Sequence, residues 1–377
     1  MRVQPTAALC LPLCFAIITL GCGGSSAIPP IPPPPPPAAQ ELLFADSATG
    51  IQTFSIKNGG LTALATTQDS GLGLFITGNM LTAASGKFLL VTDSTGSQIK
   101  VFSINQTTGG LMPVAGSPFS IGGPGSGSLA MDPSGKYLYA PYQAGVAAFS
   151  FNGSTGTLTP LVGSPFSDGS SPFAGTVDRS GKFFYTTGST AQTGLSVYAL
   201  NSASGALTPV AGSPFLTPSG NPPYNLLVSP GAETIYAALP SNNAVLGFNI
   251  NLMSGAPTAV TGSPFSTADL NLDTFLGMDP AGKFLYTCNE GNGTISAFAA
   301  NSASGALTSI AGSPFGFINC STTVAVDPSG SYLYAANPGG NAITGFSIDA
   351  ATGSLTMLSG SPFPATDATL ITIVTYQ

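Results

Sequence analysis

Apolar residues along this chain come in short runs, and each run stops at a cluster of Gly, Pro, Ser or Asn. The stretch Ser128–Phe166 shows the pattern at its cleanest. Ser128–Asp132 is a short run that can be buried on both faces, Pro133–Gly135 is a turn, and Lys136–Ala140 is an alternating run rich in aromatics. Gly145–Phe151 is a third run, Asn152–Gly156 a second turn, and Leu158–Val162 a fourth run closed by Gly-Ser-Pro-Phe. Runs of this length bounded by turn formers predict four β-strands joined by tight connections. Beyond the N-terminal apolar stretch no window sustains the three-and-four spacing of an amphipathic helix, so helices should be scarce.

The unit repeats. Gly-Ser-Pro-Phe starts at Gly116, Gly163, Gly212, Gly262, Gly312 and Gly360, with gaps of 47, 49, 50, 50 and 48 residues. A Gly-x-Leu-Thr signature marks the fourth strand around Gly60, Gly110, Gly156, Gly205, Gly305 and Gly353, and Gly255-Ala-Pro-Thr keeps the same phase, giving seven fourth strands. The turn between first and second strands occurs only six times, at Ala83–Lys87, Asp132–Lys136, Asp178–Lys182, Ser229–Glu233, Asp279–Lys283 and Asp327–Ser331. The mismatch means that the chain enters inside a unit. Leu42–Ala45 is then a second strand, and the terminal run Ala368–Val374 is the missing innermost strand of unit one. A period near fifty with four strands per unit predicts an all-β, seven-bladed β-propeller over residues 41–377, its four-stranded antiparallel blades closed into a ring by the C-terminal strand joining the N-terminal blade. Blades cannot bury their faces alone, so this is one domain despite its length. The Pro of Gly-Ser-Pro-Phe falls where the outermost strand ends, a place that tolerates a missing donor. Its Phe should pack between blades. The Tyr-rich second strands, such as Tyr137–Tyr139, Phe184-Tyr185 and Tyr332–Tyr334, should do the same in the interior.

The chain opens with Met1-Arg2, an apolar stretch from Ala7 to Leu20, then Gly21-Cys22. This reads as a secretory leader, too short and too early to span a membrane in the mature protein. Ile18–Cys22 resembles a bacterial lipobox. Residues 1–21 are then the signal peptide, Cys22 is lipidated, and the protein is exported and lipid-anchored to the cell envelope, with Gly23 favouring an outer membrane in a two-membrane host. An ordinary leader cut near Ala27 is the alternative. Residues 22–40 form a Gly/Ser/Pro linker whose Pro29, Pro30 and Pro32–Pro37 make a stiff, extended section. Cys10 and Cys14 leave with the leader. Cys288 and Cys320 fall on the same face of neighbouring blades, where they form either a disulfide or two buried thiols.

Only 6% of residues are charged, and the net charge is −7. So few bases exclude non-specific nucleic-acid binding. Sorting charges by loop gives an asymmetry. Loops before the first and after the second strand share one face, the top, which collects Asp46, Asp69, Asp93, Asp168, Asp269, Asp273, Glu290 and Asp367 with Lys100 as its single base. The bottom mixes both signs, and its Asp-Pro-Ser-Gly-Lys aspartates are turn formers. Asp69, Asp168, Asp269, Asp273 and Asp367 precede innermost strands. They could rim the central channel and hold Ca²⁺ or another divalent cation through oxygen ligands, or serve as a solvated rim. No histidine is present, which excludes a Ser-His-Asp mechanism. A carboxylate base remains open, with Glu290 and Asp269 or Asp273 as the pair to test. Water activated by a metal on the rim is the alternative.

The units Asp132–Ala140 and Asp327–Asn337, together with Phe102–Ile104 and Thr352–Thr356, resemble the seven-bladed propeller lactonase family, which includes bacterial 6-phosphogluconolactonases, and the related surface propellers with Tyr-Val-Thr-Asn repeats. The resemblance covers about residues 41–377 and implies a top-face site using His, Glu and Arg groups. No such residue carries over, because His is absent and the one mature Arg, Arg179, lies in a bottom turn. An acidic rim also repels a phosphorylated lactone. The sequence therefore supports a monomeric, lactonase-like lipoprotein acting on a sugar or other lactone. The rival is a non-catalytic envelope propeller that binds a protein, glycan or cation.

Overall fold

The computed structural model describes residues 40–47, 49–69, 80–93, 97–124, 127–167, 171–188, 194–217, 223–267, 275–316 and 323–376. The leader, Cys22, the linker, Asp168, Asp269, Asp273 and Cys320 lie outside them.

Second and third strands set the fold because both of their faces are covered. In Gln40–Ser47, Leu42 and Phe44 pack into one apolar cluster while Leu43 and Ala45 pack into another. Successive side chains of a strand point to opposite faces. A strand buried on both sides therefore reads as a continuous apolar run rather than an alternating one. This is why the runs are unbroken at Phe88–Asp93, Tyr137–Tyr142 and Thr234–Leu239.

Seven antiparallel sheets result. Blade 1 comprises Ile371–Tyr376 innermost, then Gln40–Ser47, Gly50–Lys57 and Gly60–Gln68. Blade 2 comprises Met80–Ala83, Phe88–Asp93, Gln98–Ile104 and Leu111–Pro113. Blades 3 to 7 follow over residues 130–160, 172–209, 225–259, 276–309 and 324–357. The ring closes as expected: Gln40 pairs with Tyr376, Leu43 with Ile373 and Ala45 with Ile371. Among the described residues the only helical segments are two single 3-10 turns, Pro240–Asn242 and Pro338–Gly340.

The two repeated signatures have distinct jobs. In Gly-Ser-Pro-Phe the Ser-Pro bond is cis in all six copies. The Ser hydroxyl accepts the third-strand N–H that the interrupted outer strand no longer reaches, at 3.0 Å from Val101 N to Ser117 Oγ and 2.9 Å from Ala148 N to Ser164 Oγ. The Phe then rejoins the third strand, as Phe119 does opposite Ile99 and Phe166 opposite Val146, and packs against the cluster between its blade and the next.

The Gly of Gly-x-Leu-Thr sits between blades. Gly205 has φ +72°, and a Cβ there would lie 2.5 Å from the Tyr137 ring of the preceding blade. Its carbonyl accepts the Tyr139 hydroxyl at 2.9 Å. Equivalent bonds run from Tyr185 to Gly255, Tyr236 to Gly305, Tyr286 to Gly353 and Tyr334 to Gly59. The bottom aspartates are turn formers as read. Asp132 Oδ1 accepts from the N–H groups of Lys136 at 2.8 Å and Tyr137 at 2.7 Å, and Asp178 repeats the pattern.

Candidate functional site at the seam of blades 1 and 2

In a repeat protein the residues that recur hold the fold, and those that depart from the repeat are where a particular site can lie. The Tyr-to-Gly bond spans five seams. It is missing where blade 1 meets blade 2 and where blade 2 meets blade 3, because Phe44 and Leu90 replace the Tyr. The first of these seams also carries the charge.

Asp46 follows Phe44 by two positions and so faces blade 2. The corresponding positions of blades 5, 6 and 7 hold Ala238, Cys288 and Ala336, all buried. Across the seam, Lys100 and Asp93 share the blade-1 face of their strands with Phe102 and with Leu89 and Val91. In other blades the Lys100 position is Ala147, Ser196, Leu246, Ser296 or Thr344. Asp69 directly follows the outer strand of blade 1, where its N–H donates to Thr49 O at 3.1 Å.

These four side chains converge. Lys100 Nζ donates to Asp69 Oδ1 and lies 4.0 Å from Asp93 Oδ2, with the lysine side chain only 11% exposed. Asp46 is 4% exposed, and its Oδ1 has no hydrogen-bond partner among the described residues. Burial pushes its carboxyl up to about 7, the Asp69 charge adds to the rise, and a Ser47 backbone bond and the Lys100 charge oppose it. Beside the cluster lies a cavity of about 340 Å³, lined by Asp69, Asp93, Gln98, Lys100, Phe102, Pro113, Ser117 and Pro118. Among the described residues the other bases, Lys57, Lys87, Lys136, Lys182, Lys283 and Arg179, sit at bottom turns, and Lys100 is the single top-face cation.

The rim expected from the sequence is not assembled by the described residues. Asp69 does not reach the central channel. It is drawn to Lys100 at the side of the ring, because its strand runs unbroken to the top of blade 1's outer edge. Asp367 lies where the chain passes from blade 7 to the closing strand, with φ +45° and its N–H on Asn341 Oδ1 at 2.9 Å. The described residues contain no group of three acidic, His or Cys side chains placed to hold a metal. Two axial cavities of about 210 and 220 Å³ are lined mainly by apolar inner-strand residues, among them Met80, Leu226, Phe275 and Leu370, with Asn225 common to both. Glu290 is exposed in the turn after Asn289. Cys288 is buried and disulfide-bonded.

Residues 192–372 match the family model of the lactonase seven-bladed β-propellers. The chain resembles that lactonase family. No curated protein matches it by sequence. Three solved structures show the same fold. They are the periplasmic gluconolactonase PpgL of Pseudomonas aeruginosa (17% identity, TM-score 0.73, covering 89% of this chain and 99% of that one) and candidate 6-phosphogluconolactonases from Bacteroides uniformis (19%, 0.73, 89% and 99%) and Bacteroides fragilis (18%, 0.72, 90% and 99%). At these identities the likeness carries the architecture alone.

The cluster at the lactonase-like ring's first seam was only half legible beforehand. Asp46, Asp93 and Lys100 read as top-face charges, but nothing singled them out as a group. The usable signal was strand parity, since Asp46 shares a face with Phe44 while Lys100 shares one with Phe102.

Proposed function

We propose that this protein is an exported, lipid-anchored hydrolase that opens an uncharged lactone at the top of the blade 1–blade 2 seam. The observation that carries this reading is a cation set among carboxylates, beside a cavity, at a point where the repeat is broken. In lactone opening, a carboxylate takes a proton from water as the oxygen attacks the ring carbonyl. The Asp93 or Asp69 carboxylate supplies that base. An ammonium has three donors, so Lys100 can keep its bond to Asp69 and still face the developing oxyanion. Collapse of the tetrahedral intermediate breaks the ring C–O bond and returns a proton to the alkoxide. The product is a hydroxy acid. With several acids against one base, a phosphorylated lactone is disfavoured. The lipid anchor at Cys22 and the linker over residues 22–40 would hold this chemistry at the envelope.

The test is hydrolysis of gluconolactone and its 6-phosphate above the spontaneous rate, with and without chelator, for wild type, Lys100→Met, Asp93→Asn and Glu290→Gln. The proposal expects turnover of the uncharged lactone, resistance to chelator, and loss of roughly 100-fold or more in Lys100→Met. Loss confined to Glu290→Gln would move the site to Glu290 with Asp269 or Asp273. Sensitivity to chelator would indicate a cation on the acidic rim. No turnover of either lactone by wild type would favour the non-catalytic envelope module for a glycan, protein or cation.

A further inference from the structure

Six of the seven outer edges are broken by one device. In blades 2 to 7 the outer strand runs for three residues, as in Leu111–Pro113 and Leu158–Pro160, and the cis Ser-Pro segment then interrupts it. Short strands and prolines are how sheets avoid pairing with another chain. Blade 1 lacks the device. Its outer strand, Gly60–Gln68, pairs with Gly50–Lys57 from Gly60 opposite Lys57 to Gln68 opposite Gly50, with Leu64 alone lacking an opposite residue. The single irregularity is a bulge at Leu64, since Ala63 lies opposite Phe54 and Ala65 opposite Thr53. The strand contains no Pro and no charged residue. Thr62, Ala63, Leu64, Thr66 and Gln68 are exposed, and among the described residues no strand pairs with its outer side.

We propose that this edge pairs antiparallel with the same strand of a second copy, joining two propellers through one continuous eight-stranded sheet. Self-pairing of an uncharged Thr/Ala/Leu strand sets no like charges opposite each other. A two-fold axis through its middle also brings the exposed Lys57 of one sheet toward the top end of the other, where Asp46, Asp69 and Asp93 outnumber Lys100, so the flanking charges are complementary. Such an interface is isologous and closes at two subunits, with main-chain bonds supplying the attraction, as in other strand additions. The pair replaces the monomer expected from the sequence. It stands independently of the proposed chemistry.

The test uses the full chain in mild detergent. Thr62→Cys, Leu64→Cys and Thr66→Cys are oxidised separately, with wild type and Met112→Cys, which is exposed on blade 2's outer strand, as controls. Residues near the two-fold axis fall within disulfide reach, about 4.4–6.8 Å between Cα atoms. At least one edge variant should give a covalent dimer that neither control gives. Sedimentation velocity should show a dimer for wild type and a monomer for Thr62→Lys/Thr66→Lys with an unchanged circular dichroism spectrum. If the lysine variant does not fold, the cross-linking series decides. Cross-linking no greater than in the controls, a wild-type monomer at high micromolar concentration, or a dimer that survives the lysines would each overturn the proposal.

Discussion

Tyr334 Oη donates to Gly59 O at 2.9 Å, across the seam where the last blade meets the first. Tyr334 is fully buried, and burial drives its hydroxyl pKa well above the usual tyrosine value. Ring closure therefore rests on the strand Ile371–Tyr376 added to blade 1, on the apolar packing of Leu43, Ala45 and Phe54 with blade 7, and on this bond between blades. Tyr334→Phe leaves the Gly59 carbonyl without that donor inside the protein, which costs about 1–3 kcal/mol. Tyr286→Phe, which removes the equivalent bond to Gly353, should cost a similar amount. Urea midpoints of the two variants check this. A Tyr334→Phe midpoint equal to wild type would show that the closing strand and the apolar packing hold the seam without this bond.

Gly205 and Gly135 both have positive φ, +72° and +69°. Their surroundings differ. A Cβ on Gly205 would meet the Tyr137 ring at 2.5 Å, whereas one on Gly135 meets nothing within 4 Å. Gly135→Ala should therefore cost only left-handed strain, about 1 kcal/mol. Gly205→Ala adds the displacement of a packed aromatic, for a total of about 3 kcal/mol. Thermal unfolding of the two variants separates the terms. Equal losses would mean that the aromatic contact between blades is soft.

The period, the number of blades and the closure by a C-terminal strand were all legible, because each depends on local turn chemistry repeated in phase. Gly-Ser-Pro-Phe was legible as an edge feature for the same reason. The seam cluster was not, since it joins Asp46, Asp69, Asp93 and Lys100, with Asp46 and Lys100 in different blades. Three lie in otherwise ordinary strands and Asp69 directly follows one, and only the three-dimensional register brings them together. Asp69 was a candidate for the channel rim because it precedes an innermost strand in sequence, but it also directly follows blade 1's outer strand. Without Gly-Ser-Pro-Phe it continues to Gln68 and carries Asp69 to Lys100.

Asp46 makes stability depend on pH. Its carboxyl rises from 3.8 to about 7 in the folded protein, chiefly through burial. As pH climbs, the unfolded chain releases this proton first. The stability contributed by protonated Asp46 is complete below pH 3.8, falls as pH approaches 7, and is lost above that. A gap of this size amounts to at most about 4 kcal/mol. Asp46→Asn keeps the shape without the titration. The variant should match wild type near pH 4 and melt several degrees higher at pH 8. A constant difference between variant and wild type across that range would show that Asp46 stays ionised when folded.

Lys100 answers to more than one carboxylate at once, because it bonds Asp69, approaches Asp93 and lowers the Asp46 pKa. Lys100→Met keeps the length of the side chain and removes its charge. The acids are then left close together in a largely buried place, a loss of about 3 kcal/mol at pH 8. At pH 5 the loss should shrink, because Asp46 with its raised pKa is then mostly protonated and the remaining repulsion is smaller. Adding Asp69→Asn to Lys100→Met should restore part of the stability at pH 8, since the two residues touch and their effects cannot add. Urea midpoints at pH 5 and pH 8 for the single and double variants test the set. Equal losses at both pH values, or strict additivity of the two substitutions, would mean that the seam is held by its apolar contacts below and that the charges above are spectators to stability.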